Sequence, residues 1–398
     1  MTTRLTPAQL NDVPTVRRLR ESAPVHHVDL GRGGTEWLLT GYEAAVTGFA
    51  DQRLAGGGAA GNPIEEAERA GRVIFEEDLV DLSGEDHQRV RRMISRQLTP
   101  RRVAALLPRI ERITGELLDA IPPAESVDFI AAFARPLPIM TLCALIGVPD
   151  ADRAYVRAYV SGRIATLPER PEAVTPGPDM TSPETAAMVA HLGALIAARR
   201  REPADDLVSG MIRQADREGL PDAYLVAGVR LTLVAGHRAV TALLANGLAL
   251  LLREPGLWRL LLERPELIGD AVEELLRYVT PIALSVPRHA TAAVEVCGAE
   301  VPDRAVVRCA WGAANRDPAR FAEPDAFDLA RPDNAHLAFG YGHHFCLGAA
   351  LARAEVGLAL ATLLVRFPRM RLVDEELEYR SGDLREPRTL RVVLSPPG

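Results

Sequence analysis

The ten residues Phe339-Gly340-Tyr341-Gly342-His343-His344-Phe345-Cys346-Leu347-Gly348 constrain this chain more than any other stretch. Glycines let a backbone turn tightly and approach a flat ligand closely. An apolar, alanine-rich run over 347–364 follows at once and reads as a helix, which sets Cys346 at a helix N-terminus. Free backbone N–H groups and the positive end of the helix dipole stabilise a thiolate there. A sulfur presented in this way reads as an axial ligand for haem iron, because a thiolate pushes electron density toward bound dioxygen. A buried cysteine at a Gly-rich turn is the plainer reading of one cysteine alone. The Gly, His and Cys spacing over ten consecutive positions outweighs it.

The rest of the composition is that of an ordinary globular protein: 398 residues, 47% hydrophobic, 25% charged, net charge −7. The slightly acidic balance argues against a nucleic-acid partner. Met1-Thr2-Thr3-Arg4 does not open like a secretory leader, and His237, Arg238 and Asn246 interrupt the most apolar run, 231–252. A cytoplasmic protein with no membrane anchor is therefore expected. Cys143, Cys297 and Cys309 form no Cys-x-x-Cys pair with each other or with Cys346, and are expected to be small core residues.

The pattern predicts a strand at 36–40, a helix at 41–50 and mainly helix over 86–204, with a proline-rich break at 167–183. A glycine-rich loop over 53–81 reads as a cover for a pocket. A long helix over 222–253 comes next, then an amphipathic helix over 265–278 and hairpin-like strands over 286–307. One catalytic domain over 1–398 is expected, β-containing to about residue 80 and helical beyond.

At this point the motifs add up to a resemblance. The segment 339–348 resembles the cysteine-ligand loop of the cytochrome P450 family, and Glu274-Leu275-Leu276-Arg277 is similar to the family's Glu-x-x-Arg helix. Asn315-Arg316-Asp317-Pro318, with Phe321, Pro324-Asp325 and Phe327-Asp328, resembles the approach to the ligand loop in bacterial members. His87-x-x-x-Arg91 followed by Leu98-Thr99-Pro100 resembles their haem-edge helix. The resemblance runs from about Trp37 to the C-terminus. It implies a mainly α fold with a small β portion around one buried haem b. Cys346 is then the proximal ligand, within a loop that Phe339, Gly340 and Gly348 shape. His87, Arg91, Arg288 and His344 hold the haem propionates, a task that suits the guanidinium fork. Glu274 and Arg277 become a buried prop for the loop. Ala326 stands where members often place the prop's third-corner arginine, so Arg331 or Arg320 is expected to substitute.

The resemblance also implies electrons from NAD(P)H through a separate ferredoxin and ferredoxin reductase, a medium-to-large small-molecule organic substrate of natural-product type, and a monomer. Arg89, Arg92, Arg96, Arg101, Arg102 and Arg353 offer a basic face for an acidic ferredoxin. Substrate contacts are expected from 74–79, 235–239 and 282–286.

The long helix departs from the family pattern. Where members carry a small pair and then an acid followed by threonine, this chain reads Ala235-Gly236-His237-Arg238-Ala239-Val240-Thr241. Arg238 replaces the acid and Ala239 the alcohol, while Ala235 and Gly236 keep room for a diatomic ligand. A guanidinium does not relay protons, and Thr241 lies about 200° further around the helix than Ala239. Several readings stay open. Substrate or water supplies the relay of a monooxygenase. Arg238 binds a substrate carboxylate and hydrogen peroxide acts directly, as in some relatives. The reaction is an oxidative cyclisation or coupling with less need of protons. Arg238 points away into an ion pair. The protein binds a gas or isomerises substrate and is no oxygenase.

Overall fold

The computed structural model describes residues 3–6, 9–31, 33–56, 79–122, 126–165, 183–374, 376–380 and 382–395. Most of the expected glycine-rich and proline-rich covers, and the contacts at 74–78, lie outside them. The fold is mainly α with a small β portion. Thirteen α-helices are described: α1 Val13–Ser22, α2 Tyr42–Ala50, α3 Gly84–Ser95, α4 Pro100–Asp119, α5 Pro136–Ile146, α6 Arg153–Ala165, α7 Pro183–Arg201, α8 Leu207–Glu218, α9 Asp222–Arg253, α10 Pro255–Glu263, α11 Ile268–Val279, α12 Trp311–Ala314 and α13 Ala349–Arg366.

Helix α9 organises the rest. Its 32 residues span about 48 Å at 1.5 Å each. Pro221 and Asp222 open it, and Pro255 stops it, because a proline restricts the residue before it. Its first half buries Leu225, Ala227, Val229 and Leu233 in one apolar core with α3, α5, α7 and α8. Its second half buries Val240, Leu244, Leu248 and Leu251 in another with α10, α11 and α13. In the middle, positions 231, 232, 234, 235, 236, 238 and 239 stay accessible while 233, 237, 240 and 241 are buried. That stripe follows the helical period and marks the groove side of α9.

Six strands form the larger sheet in the order β1 (Thr3–Arg4), β2 (Val25–Asp29), β3 (Thr35–Leu39), β9 (Val306–Cys309), β6 (Arg288–Ala290) and β4 (Leu54–Ala55). Strand β9 runs parallel to β3, with Leu39 opposite Cys309, and antiparallel to β6, with Arg288 opposite Val307. A three-stranded sheet joins β5 (Val127–Asp128), β10 (Arg371–Leu372) and β11 (Arg391–Val393). The expected strands at 286–307 therefore divide between two sheets, since β7 (Val294–Val296) and β8 (Ala299–Val301) pair only with each other. Cys297 and Gly298 make the two-residue turn of that hairpin, with φ of 48° and 80°. This corrects the core reading of Cys297, which is exposed; a tight hairpin needs left-handed backbone at its turn. Cys143 and Cys309 are buried as expected. The single helix expected at 265–278 is a 3-10 turn, Pro265–Leu267, leading into α11.

Candidate active site: a cysteine loop ringed by cations

The loop before α13 is closed by its own backbone. Cys346 N donates to Phe339 O at 2.9 Å, and Gly340 N to Leu337 O at 2.9 Å. Gly340 and Gly342 have φ of 74° and 73°, which side-chain-bearing residues avoid. At Gly342 a Cβ would stand 2.2 Å from Phe49 O of α2. Gly342→Ala should therefore cost at least about 1–3 kcal/mol in backbone strain alone, with a visible drop in the thermal midpoint. An unchanged midpoint would contradict this account of the loop.

Helix α13 begins at Ala349 with Gly348 as its cap, so Cys346 stands just before the first turn. The side chain of Cys346 is accessible, yet the protein around it desolvates the sulfur and pushes the thiol above its ordinary value. The Gly348 N–H, Arg91 and Arg353 oppose that push. These are the groups that favour a thiolate once a metal shares its charge.

His87 of α3 and His344 of the loop stack with ring centroids 4.0 Å apart. Burial, then the neighbouring guanidiniums, lowers His87 to about 4 and His344 to about 2, so both imidazoles are neutral at pH 7. Arg91, one turn after His87, donates to Phe345 O at 2.8 Å. Arg288 opens β6 and is 3% exposed; burial pulls it down to about 10, with Asp81 opposing. Its Nη1 is buried without a hydrogen-bond partner among the described residues. Two guanidiniums and two neutral ring donors thus converge beside Cys346, and one buried donor is unanswered. This donor set fits a group carrying two carboxylates, as haem does.

The prop beneath the loop is denser than the sequence implied. Arg277 meets Glu274 through two contacts of 2.8 and 2.7 Å, both residues being essentially inaccessible. Of the two proposed third-corner residues, Arg331 reaches Glu274 at 3.2 Å, whereas Arg320 pairs with Asp333. Asn334 and the Asp328 N–H also donate to Glu274. Arg277 passes on to Asn315 O, and Asn315 Oδ1 accepts the Leu337 N–H at 2.6 Å. Asn315 is thus the link from prop to loop, a role that helical spacing within α11 could not reveal.

On α9 the small pair divides. Ala235 is exposed on the groove side, while Gly236 is only partly accessible and also abuts α5, where a Cβ would meet Leu142 at 3.0 Å. Gly236 stays half-buried rather than buried, and the absence of a Cβ also lets Leu142 of α5 pack close against it. Thr241 is buried and donates to His237 O. Ala239 lies on the accessible stripe. Arg238 donates to Glu386 Oε2 at 3.2 and 3.4 Å. Nothing local in the sequence pointed to Glu386, which lies 148 positions away.

The large apolar residues Ile282 and Val286 are 39% and 46% exposed, consistent with a pocket wall. The expected basic docking face is mostly engaged within the chain. Arg92 grips Glu218 with two contacts of 2.9 Å, Arg353 grips Glu273 at 2.6 and 2.8 Å, and Arg96 and Arg102 bind Gln214 and Asp205. Arg89 donates to Glu218 O, and burial of Glu273 is outweighed by His336 and Arg353, which hold its carboxyl near 2. Arg101 is the member of that set with no side-chain partner among the described residues.

A long central helix and a cysteine loop flanked by an edge of guanidinium and imidazole donors make up the arrangement of a haem-thiolate oxidoreductase. The Cytochrome P450 family model matches residues 262–381. The chain is 38% identical over 373 residues to Cytochrome P450 107B1 of Saccharopolyspora erythraea, spanning 91% of this chain and 90% of that protein. It is 37% identical over 368 residues to the 6-deoxyerythronolide B hydroxylase of the same organism, spanning 90% and 89%. The solved structure of the ligand-free P450 monooxygenase TamI matches with TM-score 0.86 and 33% identity, over 99% of this chain and 94% of that one. The chain belongs to the cytochrome P450 family.

Proposed function

We propose that this protein is a haem b monooxygenase, with Cys346 as the iron ligand, that oxidises a medium-to-large natural-product skeleton. The observation that carries the reading is Cys346 held beside an edge of two guanidiniums, Arg91 and Arg288, and two imidazoles, His87 and His344. Similarity to the 6-deoxyerythronolide B hydroxylase supports the substrate class. When bound, the haem supplies the activation of dioxygen. One oxygen atom ends in the product and the other in water, with two electrons from NAD(P)H and two protons. The electrons arrive through a separate ferredoxin and its reductase. With most of the arginine face already paired, Arg101 and the rim of the cysteine loop are what remain for docking.

The chain's own part is to bind, orient and exclude water. Arg91, Arg288 and the two imidazoles hold the propionates. Ala235 and Ala239 themselves present neither a hydroxyl nor a carboxyl group to the groove. Neither alanine can relay a proton, so that role would fall to a substrate hydroxyl or an ordered water. The peroxide-driven alternative needs Arg238 for a substrate carboxylate, and Glu386 already occupies that guanidinium. This favours the dioxygen reading. A cytoplasmic location is part of the proposal: α9 alone among the described helices is long and apolar enough to cross a membrane, yet its apolar stretch is 67% buried within the protein.

The reduced protein under carbon monoxide should show the Soret shift of a thiolate-ligated haem, and Cys346→Ser should abolish both that shift and turnover. Retention of spectrum and activity in the serine variant would reject the assignment. Turnover with ferredoxin and reductase is expected to exceed turnover with hydrogen peroxide; the reverse would favour the peroxygenase, and inactivity with both across a substrate panel a non-oxygenase.

A further inference from the structure

Glu386 lies on a C-terminal strap and faces three guanidiniums. Besides Arg238 at 3.2 Å, Arg135 stands 3.4 Å and Arg380 3.8 Å from its carboxylate. The acid is 1% exposed, while the three arginine side chains are 20–28% exposed. Arg135 sits where a short π-helical turn, Ile130–Ala134, passes into α5. Among the described residues, no other carboxylate pairs with any of the three.

The strap is fastened on both sides. Toward the pocket wall, Ala283 N donates to Asp383 O at 2.8 Å and Arg385 N to Pro281 O at 2.9 Å, with Ile282 bridged to Leu384. Toward α9, Asn246 Nδ2 donates to Arg385 O at 2.8 Å and Tyr379 donates to Asn246 Oδ1 at 3.0 Å. Glu386 adds the contact nearest the groove, since Arg238 adjoins Ala239 and lies less than one turn beyond Ala235 on the accessible stripe. One carboxylate therefore ties the floor of the groove to the segment that carries Ile282.

We propose that Glu386 is a positioning residue: by gathering Arg135, Arg238 and Arg380 it sets the distance between the α9 groove and the 281–284 wall, and so determines which organic substrates fit. The replacement of the relay acid by Arg238 then has a structural purpose, because an acid at 238 would face Glu386 with like charge. The assignment rests on the haem-thiolate reading for the identity of the pocket, but not for the latch itself. Loss of the carboxylate leaves three like charges packed together, and the strap moves away from α9.

The test pairs two readouts on the holoprotein. Hydrogen–deuterium exchange at 281–285 should rise in Glu386→Gln and return most of the way in Glu386→Asp. In spectral titrations, 4-phenylimidazole, which must fit between groove and wall, should bind Glu386→Gln about tenfold more weakly, a loss of about 1.4 kcal/mol. Imidazole, which needs only the iron, should change less than about twofold on the same scale. Arg238→Gln keeps Glu386 paired with Arg135 and Arg380, and should shift selectivity in the same direction if Glu386→Gln does not fold. A lowered thermal midpoint with unchanged exchange at 281–285, or equal weakening of both imidazoles, would overturn the proposal. No Soret shift with imidazole in the wild type would instead reject the haem reading, while the exchange experiment would still decide the latch.

Discussion

Glu274→Ala should destabilise the protein by about 3–5 kcal/mol, the usual cost of stranding a buried charge partner. The variant leaves Arg277, with no accessible surface, and Arg331 without their carboxylate, and removes the acceptor of Asn334 and the Asp328 N–H. Natural domains hold only about 5–15 kcal/mol in total, so the loss approaches unfolding at growth temperature. The effect should also reach the haem site, because Arg277 holds Asn315 O and Asn315 holds the Leu337 N–H at the start of the cysteine loop. Denaturant midpoints, with haem content measured in parallel, check both parts. A loss below about 1 kcal/mol would place the pair among weak exposed ion pairs and refute its role as a prop.

Glu355→Gln should make the protein more stable at alkaline pH, and the gain should vanish in acid. Glu355 lies on α13, fully buried; burial raises its carboxyl to about 8, with Thr141 of α5 opposing. Its Oε1 and the Thr141 hydroxyl oxygen are buried without a well-formed hydrogen bond among the described residues. A folded-state value above the unfolded 4.5 means that the native state binds the extra proton between those two values. The stabilisation is complete below about pH 4.5 and is lost as pH rises through about 8. The slope in that window is about 1.4 kcal/mol per pH unit. Glutamine keeps the neutral shape and removes the slope. The difference between variant and wild type across pH 5–8 isolates this group from the other carboxyls. Parallel curves would show that Glu355 is ionised in the native protein.

Local chemistry wrote much of this molecule in plain sight. Pro221, Asp222, Arg253 and Pro255 bounded α9 to the residue, because proline and charge act on the turn they occupy. The Gly340, Gly342 and Cys346 loop was legible for the same reason, since left-handed backbone and close approach restrict a position to glycine. His87 and Arg91 were readable as a pair because four residues on a helix share a face. The boundary between Pro265–Leu267 and α11 was not, because a proline-led 3-10 turn and the α-helix it enters share one apolar pattern.

What needed the folded chain is everything joined across long loops. An ion pair was only one of several readings of Arg238 from sequence, and its partner comes from a strap 148 residues on. Arg331 was one of two candidates until its 3.2 Å contact with Glu274 separated it from Arg320. That Gly236 abuts Leu142 was visible only once α9 and α5 had packed. The sequence alone determined the element types and the local motifs, the Cys346 loop and the Arg238-Ala239 step of α9, because each depends on residues within one or two turns of each other. The tertiary structure alone decided which charges are spent and which remain for function, because an ion pair is set by distance in space, and that is known only once the helices have packed.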